Sequence, residues 1–247
     1  MTARHDGRVA VVTGGANGIG RAYALRLAAE GAMVAIVDLA DGAEVVAQLE
    51  ADGGKGLTIQ VDLTNPDDVI AARDEVDRAV GRAHILVNNV GVYPNQPFEA
   101  LTVDDWRSIF AVNVDTMFHV TRAFLPGMKE HGWGRIINMA SNAVNLVIPG
   151  YTHYIASKMA VIGFTRGLAT ELAEHGITVN AVAPSLVRTA ATEAGPAVFF
   201  EVVPNLQAIK RVELPDDLTG TVSFLASDDA AFMTGQTLFV DGGLVRA

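Results

Sequence analysis

The chain has 247 residues, half of them hydrophobic, with 28 acidic against 18 basic residues and a formal net charge of −10. This length suits one large α/β domain with a sizeable core, and the acidic balance, without any Lys/Arg cluster, excludes the basic face of a nucleic-acid binder. The absence of cysteine removes disulfides, thiolate catalysis and cysteine-ligated zinc, and no run of about 20 apolar residues is free of Gly, Pro or charge, so no membrane span is expected.

Short runs rich in Val, Ile, Leu and Ala occur at 8–13, 32–38, 57–61, 84–89, 134–140, 177–183 and 237–241. Near-continuous apolar runs of this kind predict strands buried on both faces. No basic region and apolar leader precede the first, so no export signal is expected and a cytoplasmic location is. Longer segments with helical spacing lie between the strands. Asn65-Pro66-Asp67-Asp68 predicts a helix start, with an N-cap, a proline in the first turn and acids beside it. Thr102-Val103-Asp104-Asp105 reads as a capping box with Asp in place of Glu. Gly31, Gly81 and Gly176 stand where helices should stop. The alternation predicts a doubly wound parallel sheet, a Rossmann fold, as a single domain over 1–247. One long stretch, about 184–214, has a weak pattern and is expected to be a substrate-binding loop region.

The first strand runs into Thr13-Gly14-Gly15-Ala16-Asn17-Gly18-Ile19-Gly20, and a helix follows. Glycines permit a tight turn and close approach of a phosphate, and the helix N-terminus offers free N–H groups to a pyrophosphate. Such a loop alone is weak evidence, since a tight β–α turn that binds nothing can carry the same glycines. Asp38, ending the second strand, strengthens the dinucleotide reading, because a carboxylate there can hydrogen-bond an adenosine ribose; it could also cap the next helix. A carboxylate at this position repels the 2′-phosphate of NADP. Ala16, Asn17 and Leu39 supply no compensating cation, so NAD is the expected cofactor. Arg21, one turn into the helix, is expected to face elsewhere.

Of the four tyrosines, only Tyr154 has a lysine at i+4, Lys158, which places both on one helix face. A nearby ammonium is expected to lower the phenol pKa from near 10 toward the range useful for proton transfer. By itself such a pair is ordinarily a surface neighbourhood; beside a dinucleotide loop it becomes a candidate acid/base. Ser141 follows the fifth strand, at the edge where open α/β sheets bind ligands. It would hydrogen-bond a substrate oxygen or merely cap the strand end. His153 points about 100° away from Tyr154 and is expected at the surface or in a supporting position. The histidines form no ligand pattern, so no metal is expected.

Taken together, Thr13 to Gly20, Asp62, Asn88-Asn89-Val90-Gly91, Asn113, Ser141, Tyr154 with Lys158, and Asn180, Pro184 and Thr189 resemble the short-chain dehydrogenase/reductase family over essentially the whole chain. The resemblance implies that Gly14, Asn17, Gly18, Ile19 and Gly20 hold the pyrophosphate side of the cofactor. Val61 and Asp62 would contact the adenine, and Asn88 and Gly91 would shape the adenosine side of the cleft. Lys158 would bind the nicotinamide ribose next to Tyr154, and Pro184, Val187 and Thr189 would hold the carboxamide. Asn113 would hold a water in a proton relay through Lys158, and Ser141 would orient the substrate carbonyl. The family also implies a homotetramer built through the catalytic-region helices and the C-terminal strand. Val90 stands where Ala is commonest and Ser185 where Gly is usual, which bears on substrate range.

The substrate pocket is expected between Val92, Tyr93 and Pro94; Ala143 to Leu146; Tyr151; and the 185–210 segment with Ser185, Phe199 and Phe200. These residues are mostly apolar, with Arg188 the nearest cation. Tyr151 to Tyr154, Ala183 to Thr189, Gly132 to Asn138 and Val240 to Arg246 resemble a subgroup that interconverts aromatic secondary alcohols and ketones with NAD. The expected activity is therefore NAD(H)-dependent interconversion of a secondary alcohol and a hydrophobic or aromatic ketone, with Tyr154 as acid/base. Two alternatives stand. A 3-oxoacyl-acyl-carrier-protein reductase would normally prefer NADPH and a basic docking patch, against which Asp38 and the acidic charge argue. A non-catalytic NAD-binding protein would not need both Tyr154 and Lys158.

Overall fold

The computed structural model describes residues 3–246. The seven apolar runs form β1 (Val9–Thr13), β2 (Met33–Asp38), β3 (Lys55–Gln60), β4 (Ile85–Asn88), β5 (Gly134–Met139), β6 (Ile177–Pro184) and β7 (Thr237–Val240). They make one parallel sheet in the order β3-β2-β1-β4-β5-β6-β7. The order reverses between β1 and β4, which opens a crevice at the carboxyl ends of those strands. The helices are α1 (Gly18–Ala29), α2 (Ala43–Ala51), α3 (Pro66–Val80), α4 (Val103–Phe110), α5 (Thr116–His131), α6 (Thr152–Leu172), α7 (Ala190–Glu193), α8 (Phe199–Leu206) and α9 (Pro215–Leu225). Among the described residues, no helix is long and apolar enough to cross a membrane.

Strands β1, β4, β5 and β6 are buried at every position, because helices cover both faces. Alternation along β1 sends Ala10 and Val12 into one core with Leu27 of α1 and Val222 of α9. It sends Val9 and Val11 into the other with Val76 of α3 and Phe124 of α5. Strand β3 begins earlier than its apolar run, since Lys55 and Gly56 lie on the exposed edge of the sheet. An edge strand pairs through its backbone without needing apolar side chains.

The helix boundaries follow the local chemistry. Asn65 Oδ1 accepts the Asp67 N–H at 3.1 Å, with Pro66 opening α3. Thr102 and Asp105 complete a capping box at α4. The 184–214 stretch carries two short helices, α7 and α8, instead of an irregular loop. Between α4 and α5 lies a π-helical turn, Ala111–Asp115, a geometry that no period in the sequence announces.

At the amino end of the sheet, Trp133 is sandwiched by Arg8 and Arg135, whose guanidinium carbons lie 3.7 and 4.2 Å from its ring centroid. Beside it, His84 stacks on His131 at 4.1 Å, and its Nδ1 accepts the Val9 N–H at 3.1 Å. That bond requires an unprotonated Nδ1. Burial first, then His131 and Arg8, pull the His84 pKa down from 6.5 to about 4. The unfolded chain therefore binds a proton that the native chain refuses. Stability attributable to His84 is constant above about pH 6.5 and falls as the pH drops toward 4. Thermal denaturation across this window should show His84→Gln losing less stability on acidification than the parent.

Candidate active site

The loop between β1 and α1 is built from contacts only glycine allows. A Cβ at Gly20 would lie 2.0 Å from the Gly14 carbonyl oxygen, and Gly14 and Gly18 adopt φ of +63° and +54°. Asn17 is the α1 N-cap, and its side chain makes no capping bond. The loop is tied from two sides. Asp38 Oδ2 accepts the Ala16 N–H at 2.9 Å, and its Oδ1 accepts the Ala40 N–H at 3.0 Å. Asn89 Nδ2 donates to the carbonyls of Thr13 and Gly14, each at 3.1 Å. A glycine cradle at a helix N-terminus with a carboxylate at the end of β2 fits a dinucleotide. Arg21 points away to Gln48 on α2. Val61 lies against the Asp38 end through its N–H, bonded to the Asp38 carbonyl at 2.8 Å. Asp62 is exposed, and its carboxylate is held low by the Thr64 N–H and hydroxyl.

On the other side of the crevice, β5 delivers Ser141 and α6 delivers Tyr154 and Lys158. All three line a cavity of about 270 Å³, with Gly91 and Ile19 at its cofactor side. Lys158 is 5 % exposed and donates to the Met139 carbonyl at 2.9 Å. Burial lowers its pKa to about 8. Burial also pushes the Tyr154 phenol up to about 12; Ser141 pulls it down, and Tyr151 and Tyr93 push it further up. The expected lowering of the phenol by Lys158 is not found: burial raises it, and the one opposing group is Ser141. The ammonium lies 5.9 Å from the phenol ring centroid. Tyr154 is a neutral acid in the protein alone.

Asn113 comes from the π-helical turn. Its Oδ1 accepts the Val92 N–H at 2.7 Å, while its Nδ2 donates to the Val92 carbonyl and Ser157 Oγ, both at 2.9 Å. It staples the loop after β4 to the helix turn carrying Lys158. Gly91 sits between them: a Cβ there would lie 3.2 Å from Lys158 Nζ and 3.3 Å from Asn113 Oδ1.

Tyr93, Ala143, Tyr151 and Ser185 all line the cavity, as do Pro184 and Val187. Thr189 caps α7, and its side chain faces Gly18 across the crevice. Phe199 of α8 enters the cavity wall. Phe200 instead lies under the Arg188 guanidinium, 4.9 Å from its ring centroid, and Arg188 also pairs with Glu193 at 3.3 Å.

The family model described as enoyl-(acyl carrier protein) reductase matches residues 14–245. The 3-oxoacyl-[acyl-carrier-protein] reductase FabG of Pseudomonas aeruginosa is 36% identical over 97% of this chain and 98% of that enzyme. The chain belongs to the short-chain dehydrogenase/reductase family. D-threitol dehydrogenase of Mycolicibacterium smegmatis is 40% identical over 97% of this chain and 94% of that enzyme. The gluconate 5-dehydrogenase of Burkholderia cenocepacia, solved in complex with NADP and tartrate, superposes with a TM-score of 0.93 at 36% identity, covering 98% of this chain and 97% of the other. Membership of the short-chain dehydrogenase/reductase family accounts for the seven-stranded parallel sheet.

Within this short-chain dehydrogenase/reductase frame, Asn88 does not reach the crevice as expected. Its Nδ2 donates to Thr121 and Asn138 at 3.0 and 2.8 Å, beneath the sheet edge. The neighbouring Asn89 faces the cofactor loop instead. Alternation at the end of β4 could have revealed this, since adjacent strand residues face opposite sides. His153, expected at the surface or in support, is 1 % exposed, and neither ring nitrogen has a partner among the described residues. Leu244 of the C-terminal segment also lines the cavity, a contact no local pattern signals. Asn89→Ala should strip two carbonyls of their donor and loosen the cradle. Fluorescence titration should show dinucleotide affinity falling about tenfold, the equivalent of about 1.4 kcal/mol.

Proposed function

We propose that the protein is an NAD(H)-dependent oxidoreductase that interconverts a hydrophobic or aromatic ketone and its secondary alcohol. The observation that carries this reading is the cavity wall at Tyr154 and Ser141. Among the described residues, Lys158 is the one charged side chain lining it, and Tyr93, Tyr151, Phe199, Leu186 and Leu244 supply apolar surface. Beside the tyrosine hydroxyls the lining offers polar side chains at Asn89, Ser141, Asn142, Ser185 and Thr192, and each polyol or sugar-acid hydroxyl that they fail to meet would cost roughly 1–3 kcal/mol when buried. A hydrophobic ketone needs polar partners only at its oxygen.

The bound dinucleotide would supply the hydride. Tyr154 Oη, neutral at physiological pH, gives its proton to the carbonyl oxygen during reduction and takes it back during oxidation. Ser141 Oγ donates a hydrogen bond to the same oxygen and fixes the face presented. Lys158 binds the ribose hydroxyls, and its charge stabilises the phenolate left on Tyr154. Asn113, clamped between Val92 and Ser157, is where a water returning the proton would sit. Pro184, Val187 and Thr189 hold the carboxamide end.

Asp38 supports NAD over NADP. Its carboxylate stands at the end of β2, the residues around it, Ala16, Asn17, Leu39 and Ala40, are uncharged, and Arg21 is turned to Gln48. The resemblance of Tyr151–Tyr154 and Ala183–Thr189 to bacterial (S)-1-phenylethanol dehydrogenase narrows the reading to aromatic ketones; none of the three relatives above shares that activity by name. A homotetramer belongs to the same reading, supported by exposed Trp106, Phe118 and Met159 on α4, α5 and α6. A cytoplasmic site of action rests on the cysteine-free composition.

The second reading, 3-oxoacyl-acyl-carrier-protein reduction, is favoured by the name of the Pseudomonas relative. It differs in cofactor and in needing a cationic surface for an acidic carrier. A panel of aromatic ketones and 3-oxoacyl thioesters, each with NADH and NADPH, separates the two. NADH-linked turnover of the ketones is expected; activity confined to thioesters with NADPH establishes the second reading. Tyr154→Phe should lower kcat at least about 100-fold with NADH affinity unchanged. Asp38→Ala should shrink the NAD/NADP ratio of kcat/KM by about tenfold, and equal use of both cofactors by the parent would remove the role given to Asp38.

A further inference from the structure

Glu213 has no part in the chemistry above, yet it is 5 % exposed, and its Oε1 has no hydrogen-bond partner among the described residues. Its Oε2 accepts the Ser185 N–H at 2.8 Å. Its backbone carbonyl accepts the Arg188 N–H at 2.9 Å, and the residue forms a parallel bridge with Val187. These three links run along the segment leaving β6, whose first residues form one wall of the cavity. Ser185 is also met by Gln207, whose Oε1 lies 3.5 Å from Ser185 Oγ. Gln207 ends α8 and donates to the carbonyls of Ile209 and Arg211 at 3.1 and 3.0 Å. The strand end, the helix over the cavity and the segment before α9 therefore meet at Ser185.

The geometry points to Glu213 as a positioning residue: it holds Ser185–Arg188 in register, so that the wall facing cofactor and substrate stays closed, and its ionisation loosens that wall. The kinetic part of this inference rests on the function proposed above; the structural part does not.

The groups facing Glu213 are Tyr23 of α1, Arg211 before α9, Asp217 within it, and Asp241 after β7. Arg211 is engaged with Asp217 through two bonds of 2.6 Å. Asp241 is occupied by the N–H groups of Gly243, Leu244 and Val245. Burial pushes the Glu213 carboxyl up from 4.5 to about 8; the Ser185 N–H pulls the other way, Asp217 and Asp241 add to the rise, and Arg211 opposes it. The sign is the reverse of an ordinary surface carboxylate. Opening to water returns the carboxyl to its ordinary value, so the neutral acid favours the closed segment fully below about pH 4.5; that bias is lost as the pH rises toward 8, and above 8, where a buried anion faces two carboxylates, it is gone and changes no further.

Hydrogen exchange of the 185–188 amides, corrected for intrinsic rates, tests this in the parent, Glu213→Gln and Glu213→Ala between about pH 5 and 9. The amide side chain of Gln keeps an acceptor for Ser185 and cannot ionise. The parent should lose up to about tenfold in protection per pH unit between about pH 5 and 8 and level off above 8, with KM for the ketone rising over the same window while kcat holds. Glu213→Gln should keep both flat, and Glu213→Ala should exchange rapidly at every pH. A loss in Glu213→Gln equal to the parent's over that window would assign the transition to a group other than Glu213 and would overturn the inference, as would parental protection in Glu213→Ala. If no ketone is turned over, the exchange data still decide the role of Glu213, and the proposed function fails separately.

Discussion

The close approach of Gly20 to the Gly14 carbonyl sets the position of everything else in the crevice. No side chain fits between them, so the first turn of α1 lies directly on the end of β1, with its free N–H groups pointing into the gap left by the reversal of strand order. Asp38 and Asn89 then fasten the loop to the ends of β2 and β4. On the far side, β5 and α6 present Ser141, Tyr154 and Lys158 to the same gap. Three strand ends fix one half of the site, and a long buried helix fixes the other.

Burial governs the electrostatics of the second half. Tyr154 and Lys158 are each moved toward neutrality, the phenol upward to about 12 and the ammonium downward to about 8. A phenol and an ammonium four residues apart on one helix face would be expected, from the sequence alone, to lower the phenol. Taking both from water acts the other way on Tyr154, and it governs the result. The consequence is a site with a protonated donor ready for reduction. In the proposed oxidation, the charge of Lys158 would stabilise the phenolate that takes up the proton.

Much of the fold was legible because buried parallel strands leave unbroken apolar runs and helix ends leave caps. Asn65, Thr102, Gly81 and Gly176 all mark boundaries that the structure keeps. The misses share a cause: features determined by packing and not by local pattern. Strand β3 starts at Lys55 because an edge tolerates polar residues. Helices α7 and α8 are too short for a period to declare itself. The π-helical turn at Asn113 adds one residue to a helix that otherwise reads as regular. For the site, residue identities pointed to Ser141, Tyr154 and Lys158. Which of Asn88 and Asn89 faces the cofactor, and that Glu213 and Leu244 reach the cavity region, required the three-dimensional arrangement.

In the proposed reaction a hydride passes to a carbonyl carbon while Tyr154 supplies the proton. Its most direct test is isotopic: reduction of a hydrophobic ketone with NADH deuterated at C4 of the nicotinamide, in ordinary water, with the alcohol examined by mass spectrometry and NMR. Using the cofactor stereoisomer from which label is transferred, one deuterium should appear at the carbinol carbon, and in heavy water with unlabelled NADH that carbon should carry none. Deuterium entering the carbinol carbon from solvent, or alcohol formed without cofactor label from either stereoisomer, would contradict the account.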